Sequence, residues 1–283
     1  VLYTTNADDL FSDASLELIL IATPTHSHYP LAKKALESGK HVFIEKPMTE
    51  TVEQASELNA LAEQNGKLIF VDHTFVFASA VQTLAEMARG GNLGKLLYFD
   101  STRINLGLIQ KDTNVLYDLA IHDLSILNTF MDLDDVRQID AYGSKHFGTQ
   151  EEDVHLHMKF ASGFQAHIHV SWLSPVKLRR TILAGDKAMI TYDDIEPSEK
   201  IRVYDSGIER DETKPDPFFP KYRSGNILIP ALANAEPLAV EAAHVLKCVR
   251  GLESPRVSGK EGEKILRTLA RADQCLKSSP AVS

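Results

Sequence analysis

The chain has little that would tie it to a membrane, a nucleic acid or an oxidising compartment. No apolar run approaches the roughly 20 residues a bilayer-spanning helix needs; the best candidate, residues 16–22, is short and carries Glu17. Basic residues are in deficit, with 30 Lys and Arg against 39 Asp and Glu and a net charge of −9. That balance lacks the positive footprint of a nucleic-acid binder or of a protein that docks on anionic lipid. Only two cysteines occur in 283 residues, Cys248 and Cys275, without CxxC spacing. This excludes a disulfide scaffold and suits thiols of a reducing cytoplasm. None of the 15 glycines falls in a G-x-G-x-x-G or a P-loop, the common backbone cradles for phosphate. Residues 1–9 show neither the basic nor the apolar segment of a secretory signal, so a cytoplasmic location is expected.

What is present is an ordinary globular composition, 43% hydrophobic and 24% charged, long enough for two domains with real cores. The first seventy residues alternate strand and helix signals. Residues 17–22, 41–45 and 67–71 are short apolar runs of the kind buried on both faces of a parallel sheet. Between them lie a helix-like stretch stopped by Gly39, and a second one opened by a Thr51/Gln54 capping box and ended by Gly66. Strands separated by helices predict a doubly wound α/β layer.

Beyond residue 78 the pattern changes. Helices are expected over 80–89 and 115–130, then strands near 136–145, 153–160, 164–172, 178–184, 187–193 and 200–205. Ala161-Ser162-Gly163 reads as a three-residue hairpin loop with Gly163 left-handed. Residues 211–220 read as an exposed loop, and amphipathic helices over 238–250 and 259–276 close the chain. The fold class is thus α/β, a partial doubly wound parallel sheet followed by an α+β domain with a mainly antiparallel sheet. The boundaries are 1–73 and 74–283, with the C-terminal helices in the second domain.

Three features could carry chemistry. Glu45-Lys46-Pro47 stands at the C-terminal end of a parallel strand, where open α/β sheets hold their ligands. Lys46 there is an acid, base or electrostatic clamp, or else a surface lysine at a strand end. The Lys46–Pro47 bond is a candidate cis peptide. Asp118 and His122 are four apart on a helix and share a face; such a pair can accept a hydroxyl proton near neutral pH, or can be an exposed ion pair. Asp123 beside them reads as a helix-surface charge. The third feature, Thr23-Pro24-Thr25-His26, lies at another strand's C-terminal end.

Taken in this order, Ala22-Thr-Pro-Thr-His26, Glu45-Lys46-Pro47 and, about seventy residues later, Asp118-Leu-Ala-Ile-His122 resemble the glucose–fructose oxidoreductase/inositol dehydrogenase/MocA (Gfo/Idh/MocA) family. The likeness runs over essentially the whole chain, including Glu236-Pro237-Leu238 before a late helix. It implies an NAD(P)-binding Rossmann domain, then a mixed α/β domain, with NAD or NADP as cofactor and a sugar, polyol or nucleotide-linked sugar as substrate. It implies that Lys46, Asp118 and His122 are catalytic. Thr23, Pro24, Thr25, His26, His28, Glu45, Lys46 and Pro47 would border the cofactor. Lys46, Asn114, Asp118, His122 and Lys177 would meet substrate.

The sequence departs from the family pattern at Asp112, Thr113 and Asn114, where glycines are usual, and at 73–77, which lacks an arginine. Both departures bear on substrate rather than on reaction type. The chain also starts near what would be the family's third strand. About 60 residues of βα structure, with the pyrophosphate glycines, have no counterpart, so weak dinucleotide binding by this chain alone is expected. The contrasting expectation is a non-catalytic module for sugar binding or oligomerisation.

Lys177, Arg179 and Arg180 form a basic turn suited to a nucleotide diphosphate, or simply to water. His155, His157, His167 and His169 share the polar face of the hairpin, 157 opposite 167 and 155 opposite 169. The resemblance gives that face to subunit contact in a homodimer or homotetramer, and no metal is expected.

Overall fold

The computed structural model describes residues 3–111, 113–210 and 220–278. The expected loop over 211–220 therefore lies outside the described residues up to 219, and Pro220 opens a short strand. Among the described residues no helix is long and apolar enough to cross a membrane.

The chain divides into two compact units, Val1–Phe77 with Glu236–Ala270, and Ala78–Ala235 with Arg271–Ser283. The first holds three parallel strands in the order β1 (Leu18–Ile21), β2 (His41–Ile44), β3 (Ile69–Val71). Helix α1 (Ala7–Ser12) precedes them, and α2 (His28–Glu37) and α3 (Val52–Gln64) alternate with them. The Thr51/Gln54 capping box is formed in full. Gly39 and Gly66 take φ of 72° and 60° just past α2 and α3, where a left-handed residue closes a helix end.

The C-terminal helices belong partly to this unit, which differs from the boundary at residue 74. Helix α6 (Pro237–Val249) puts Val245 and Cys248 on Phe70, with Leu18 and Phe43 packed alongside. A short parallel sheet has two apolar faces to cover, and a segment from far along the chain covers one of them. The edge of β3 is met as well: Val71 N–H donates to Val257 O at 3.2 Å. Helix α7 (Gly259–Ser278) approaches at Gly262, where a Cβ would stand 2.6 Å from the Val71 side chain.

The second unit is built on an eight-stranded sheet. In chain order its strands are β4 (Leu96–Leu106), β5 (Val136–Ser144), β6 (Asp153–Phe160), β7 (Gln165–Ser171), β8 (Leu173–Gly185), β9 (Met189–Asp193), β10 (Ile201–Tyr204) and β13 (Ile227–Leu228). A two-stranded ribbon, β11 (Gly207–Arg210) with β12 (Pro220–Arg223), lies outside the sheet. Its order is β13-β10-β9-β8-β4-β7-β6-β5, antiparallel except where β4 runs parallel to β7. Helices α4 (Ser79–Arg89) and α5 (Ile121–Leu127) and the end of α7 belong to the same unit. The β6–β7 hairpin has the expected register and turn, with Gly163 at φ 86°. The hairpin residues that alternate with the histidines, from Val154 to Phe160 and from Phe164 to Trp172, are buried.

Candidate active site

In the first unit the ladder continues past the strand ends, with Glu45 N–H on Ile21 O at 2.9 Å and Asp72 N–H on Ile44 O at 2.8 Å. Glu45, Lys46, Asp72 and His73 therefore leave the sheet side by side along its carboxyl edge. The Lys46–Pro47 peptide is cis, and the Lys46 N–H donates to the Glu45 carboxylate at 3.1 Å.

The turn after β1 is closed by Ser27, whose N–H and hydroxyl donate to Pro24 O at 2.9 and 2.7 Å. Thr23 and Pro24 are exposed there, as is His26, and Thr25 is half-buried. His28, by contrast, is buried: its Nε2 lies 2.7 Å from Thr23 O and its Nδ1 2.9 Å from Pro47 O. The imidazole ties the first loop to the cis-proline loop rather than facing outward as a ligand contact.

One further carboxylate reaches this edge from α6. Glu241 is 1% exposed and lies beside Asp72, His73 and Thr74, with Glu45 on the other side of the same Asp72. Burial first, and then Asp72, push the Glu241 carboxyl up to about 8. The same two causes raise Glu45, with Lys46 pulling the other way. His73, 1% exposed, is pushed down to about 4, mainly by burial. The edge thus joins Lys46 to acids that carry fewer charges than their number and to a neutral imidazole.

In the second unit, Asp118 lies in one π-helical turn, Leu116–Ala120, that runs straight into α5 and His122. π turns widen the helix and occur often at functional sites. Asp118 accepts from the Trp172 indole N–H at 2.9 Å, and both Asp118 and His122 are half-buried. Asn114 is buried. Its Oδ1 accepts from Leu116 N–H at 3.2 Å and its Nδ2 donates to Asp273 at 3.0 Å. It starts the turn instead of offering its amide to a substrate.

Asp123 is no surface charge. At 1% exposure it takes Arg103 Nε at 2.9 Å and Nη2 at 3.2 Å, with the Ser101 hydroxyl at 2.7 Å. This ion pair binds α5 to the middle of β4. Lys177 is exposed on β8, as is Arg180, and Arg179 donates to Asp194 at 3.1 Å.

Two family models fit the chain. Residues 1–73 match the Gfo/Idh/MocA oxidoreductase family with its NAD-binding Rossmann fold, and residues 81–191 match the Gfo/Idh/MocA C-terminal domain. The chain belongs to the Gfo/Idh/MocA family. A curated relative, the Escherichia coli (strain K12) oxidoreductase YdgJ, is 30% identical over 200 residues, 68% of this chain and 58% of YdgJ. The Bacillus subtilis (strain 168) scyllo-inositol 2-dehydrogenase (NAD(+)) is 24% identical over 59% of this chain and 52% of its own length. The chain therefore spans little more than half of these relatives. Among solved structures, UDP-N-acetylglucosamine 3-dehydrogenase GnnA from Acidithiobacillus ferrooxidans superposes with a TM-score of 0.83. That match covers 97% of this chain and 82% of GnnA at 21% identity, a likeness of fold.

NAD or NADP is the cofactor of such a domain. The donor set along the carboxyl edge, with the Lys46 ammonium and the Thr23 hydroxyl, suits the polar nicotinamide end of a dinucleotide. Among the described residues of the first unit, the left-handed glycines Gly39, Gly66 and Gly251 sit where helices end, not on the β1 turn. The pyrophosphate cradle is not among these residues.

Proposed function

We propose that the protein is an NAD(P)-dependent oxidoreductase that interconverts a secondary alcohol and a ketone on a sugar, a polyol or a nucleotide-linked sugar. NAD(P), when bound, accepts or returns the hydride. The His122 imidazole accepts the hydroxyl proton during oxidation and returns it during reduction. The Lys46 ammonium holds the negative charge that develops on the same oxygen. Asp118, steadied by the Trp172 indole, orients the substrate or the imidazole. Thr23 and Glu45 border the cofactor, and Asn114 acts as a positioning residue through the turn it starts.

The observation that carries the reading is the presence, in one family member, of Lys46 just past the end of β2 and of Asp118 on a π turn with His122 in the helix that continues it. A homodimer or homotetramer remains part of the proposal. The test follows nicotinamide reduction by absorbance, using the native protein against polyols, aldoses and UDP-sugars with either dinucleotide. Turnover of at least one such alcohol is expected. Binding of these sugars with no turnover under either cofactor would favour the non-catalytic module instead.

A further inference from the structure

The outer face of the β6–β7 hairpin carries a pattern that the oxidoreductase chemistry does not use. Each strand has a His-x-His pair, His155 with His157 and His167 with His169, and the register sets them opposite one another in two rows. The rings stack across the strands at 4.0 Å between centroids for 155/169 and 4.6 Å for 157/167. Four of the chain's 11 histidines thus occupy one small rectangle of rigid sheet. The fold does not require them there, because the buried residues Val154, Leu156, Met158, Ala166, Ile168 and Val170 point the other way.

A carboxylate completes one row. Asp153 Oδ1 is 3.0 Å from His169 Nε2, and its Oδ2 is 3.9 Å from His155 Nε2. The three ligand atoms lie within 4.8 Å of one another. Two imidazoles and a carboxylate around one point, with side chains 28–64% exposed, have the composition of an open three-ligand site. Donors bound at about 2.0–2.1 Å to a tetrahedral ion sit roughly 3.3 Å apart, and the Asp153 oxygens already stand 3.0 and 3.9 Å from the two imidazole nitrogens.

We propose that Asp153, His155 and His169 form a binding site for a divalent transition-metal ion of the zinc class, with a coordination position left open. Mixed imidazole and carboxylate donors favour zinc, cobalt, nickel or copper over calcium and magnesium, which take oxygen alone. Ligation needs neutral imidazole. The second row, His157 and His167 with Asp140 4.0 Å from His157, lies two residues along.

The test is calorimetric titration of Zn2+ into the full chain at neutral pH. We expect one ion per chain, with a dissociation constant in the micromolar range or tighter. His155→Ala, His169→Ala and Asp153→Asn should each weaken binding by at least about tenfold, whereas His146→Ala, on the neighbouring exposed loop, should leave it unchanged. Co2+ added to the unsubstituted chain should give a visible ligand-field absorption that the His155→Ala/His169→Ala double variant lacks. No saturable Zn2+ binding, a silent Co2+ spectrum, or equal affinity in the His155→Ala/His169→Ala double variant would overturn the proposal.

Discussion

The Trp172 indole N–H donates to the Asp118 carboxylate at 2.9 Å, and the backbone is shaped to let it. Gly107 donates its N–H to Trp172 O at 3.0 Å, and a Cβ there would stand 2.4 Å from the indole ring. Trp172→Phe keeps an aromatic ring but leaves the carboxylate without that donor. Urea unfolding should show a loss of about 1.5–3 kcal/mol, the range for a hydrogen bond to a charged group. An unchanged midpoint and slope would mean that the contact adds nothing.

The buried pair of Arg103 and Asp123 carries a larger stake. Asp123→Ala takes the bidentate carboxylate from a guanidinium that is 3% exposed, and we expect a loss of about 3–5 kcal/mol in unfolding free energy. Replacing both partners, Arg103→Met with Asp123→Leu, removes the buried guanidinium charge as well and should cost clearly less. A double variant as damaged as the single one would show that the pair stabilises through its charges rather than through packing.

Stability should also fall on the alkaline side. The folded chain holds a proton on Glu241 up to about pH 8, against an ordinary value of 4.5. This contribution is full below pH 4.5 and is lost as the pH rises to 8, with a slope of at most about 1.4 kcal/mol per pH unit. His73 acts with the opposite sign. It stays neutral in the fold down to about 4 against an ordinary 6.5, so its contribution is lost as the pH falls through that window. The two oppose each other between pH 4.5 and 6.5, and Glu241 acts without that offset from 6.5 to 8. Denaturation midpoints measured across pH 6.5–8 should therefore decline, and Glu241→Gln should flatten the decline. An equally steep decline in the variant would remove Glu241 from the account.

These sites differ in how far the sequence discloses them. The three parallel strands, the Thr51 capping box and the hairpin register are local patterns of period and turn chemistry, and each is visible residue by residue. Strand β4 is not. Its buried positions 101 and 103 are Ser and Arg, which break the apolar alternation because their partner, Asp123, arrives from a helix some twenty residues later. That partnership also makes Asp123 look like a surface charge when read alone.

Glu241 is hidden for a related reason. It follows Asp72 by about 170 residues, and nothing local marks α6 as the cover of the first sheet. Asn114 and His28 are polar residues beside motif positions, and only packing shows that their hydrogen bonds turn inward. The π turn has no periodic signature at all, since one wide turn shifts the phase without changing composition.

The central claim is that Lys46 and His122 carry the redox chemistry, and one measurement tests it most directly. Steady-state turnover of the native protein is compared with that of His122→Ala and Lys46→Ala, alongside dinucleotide affinity by fluorescence titration. The account predicts that each substitution lowers turnover by about 10²–10⁴ while cofactor affinity changes far less. Turnover near the unsubstituted level in both variants would contradict it.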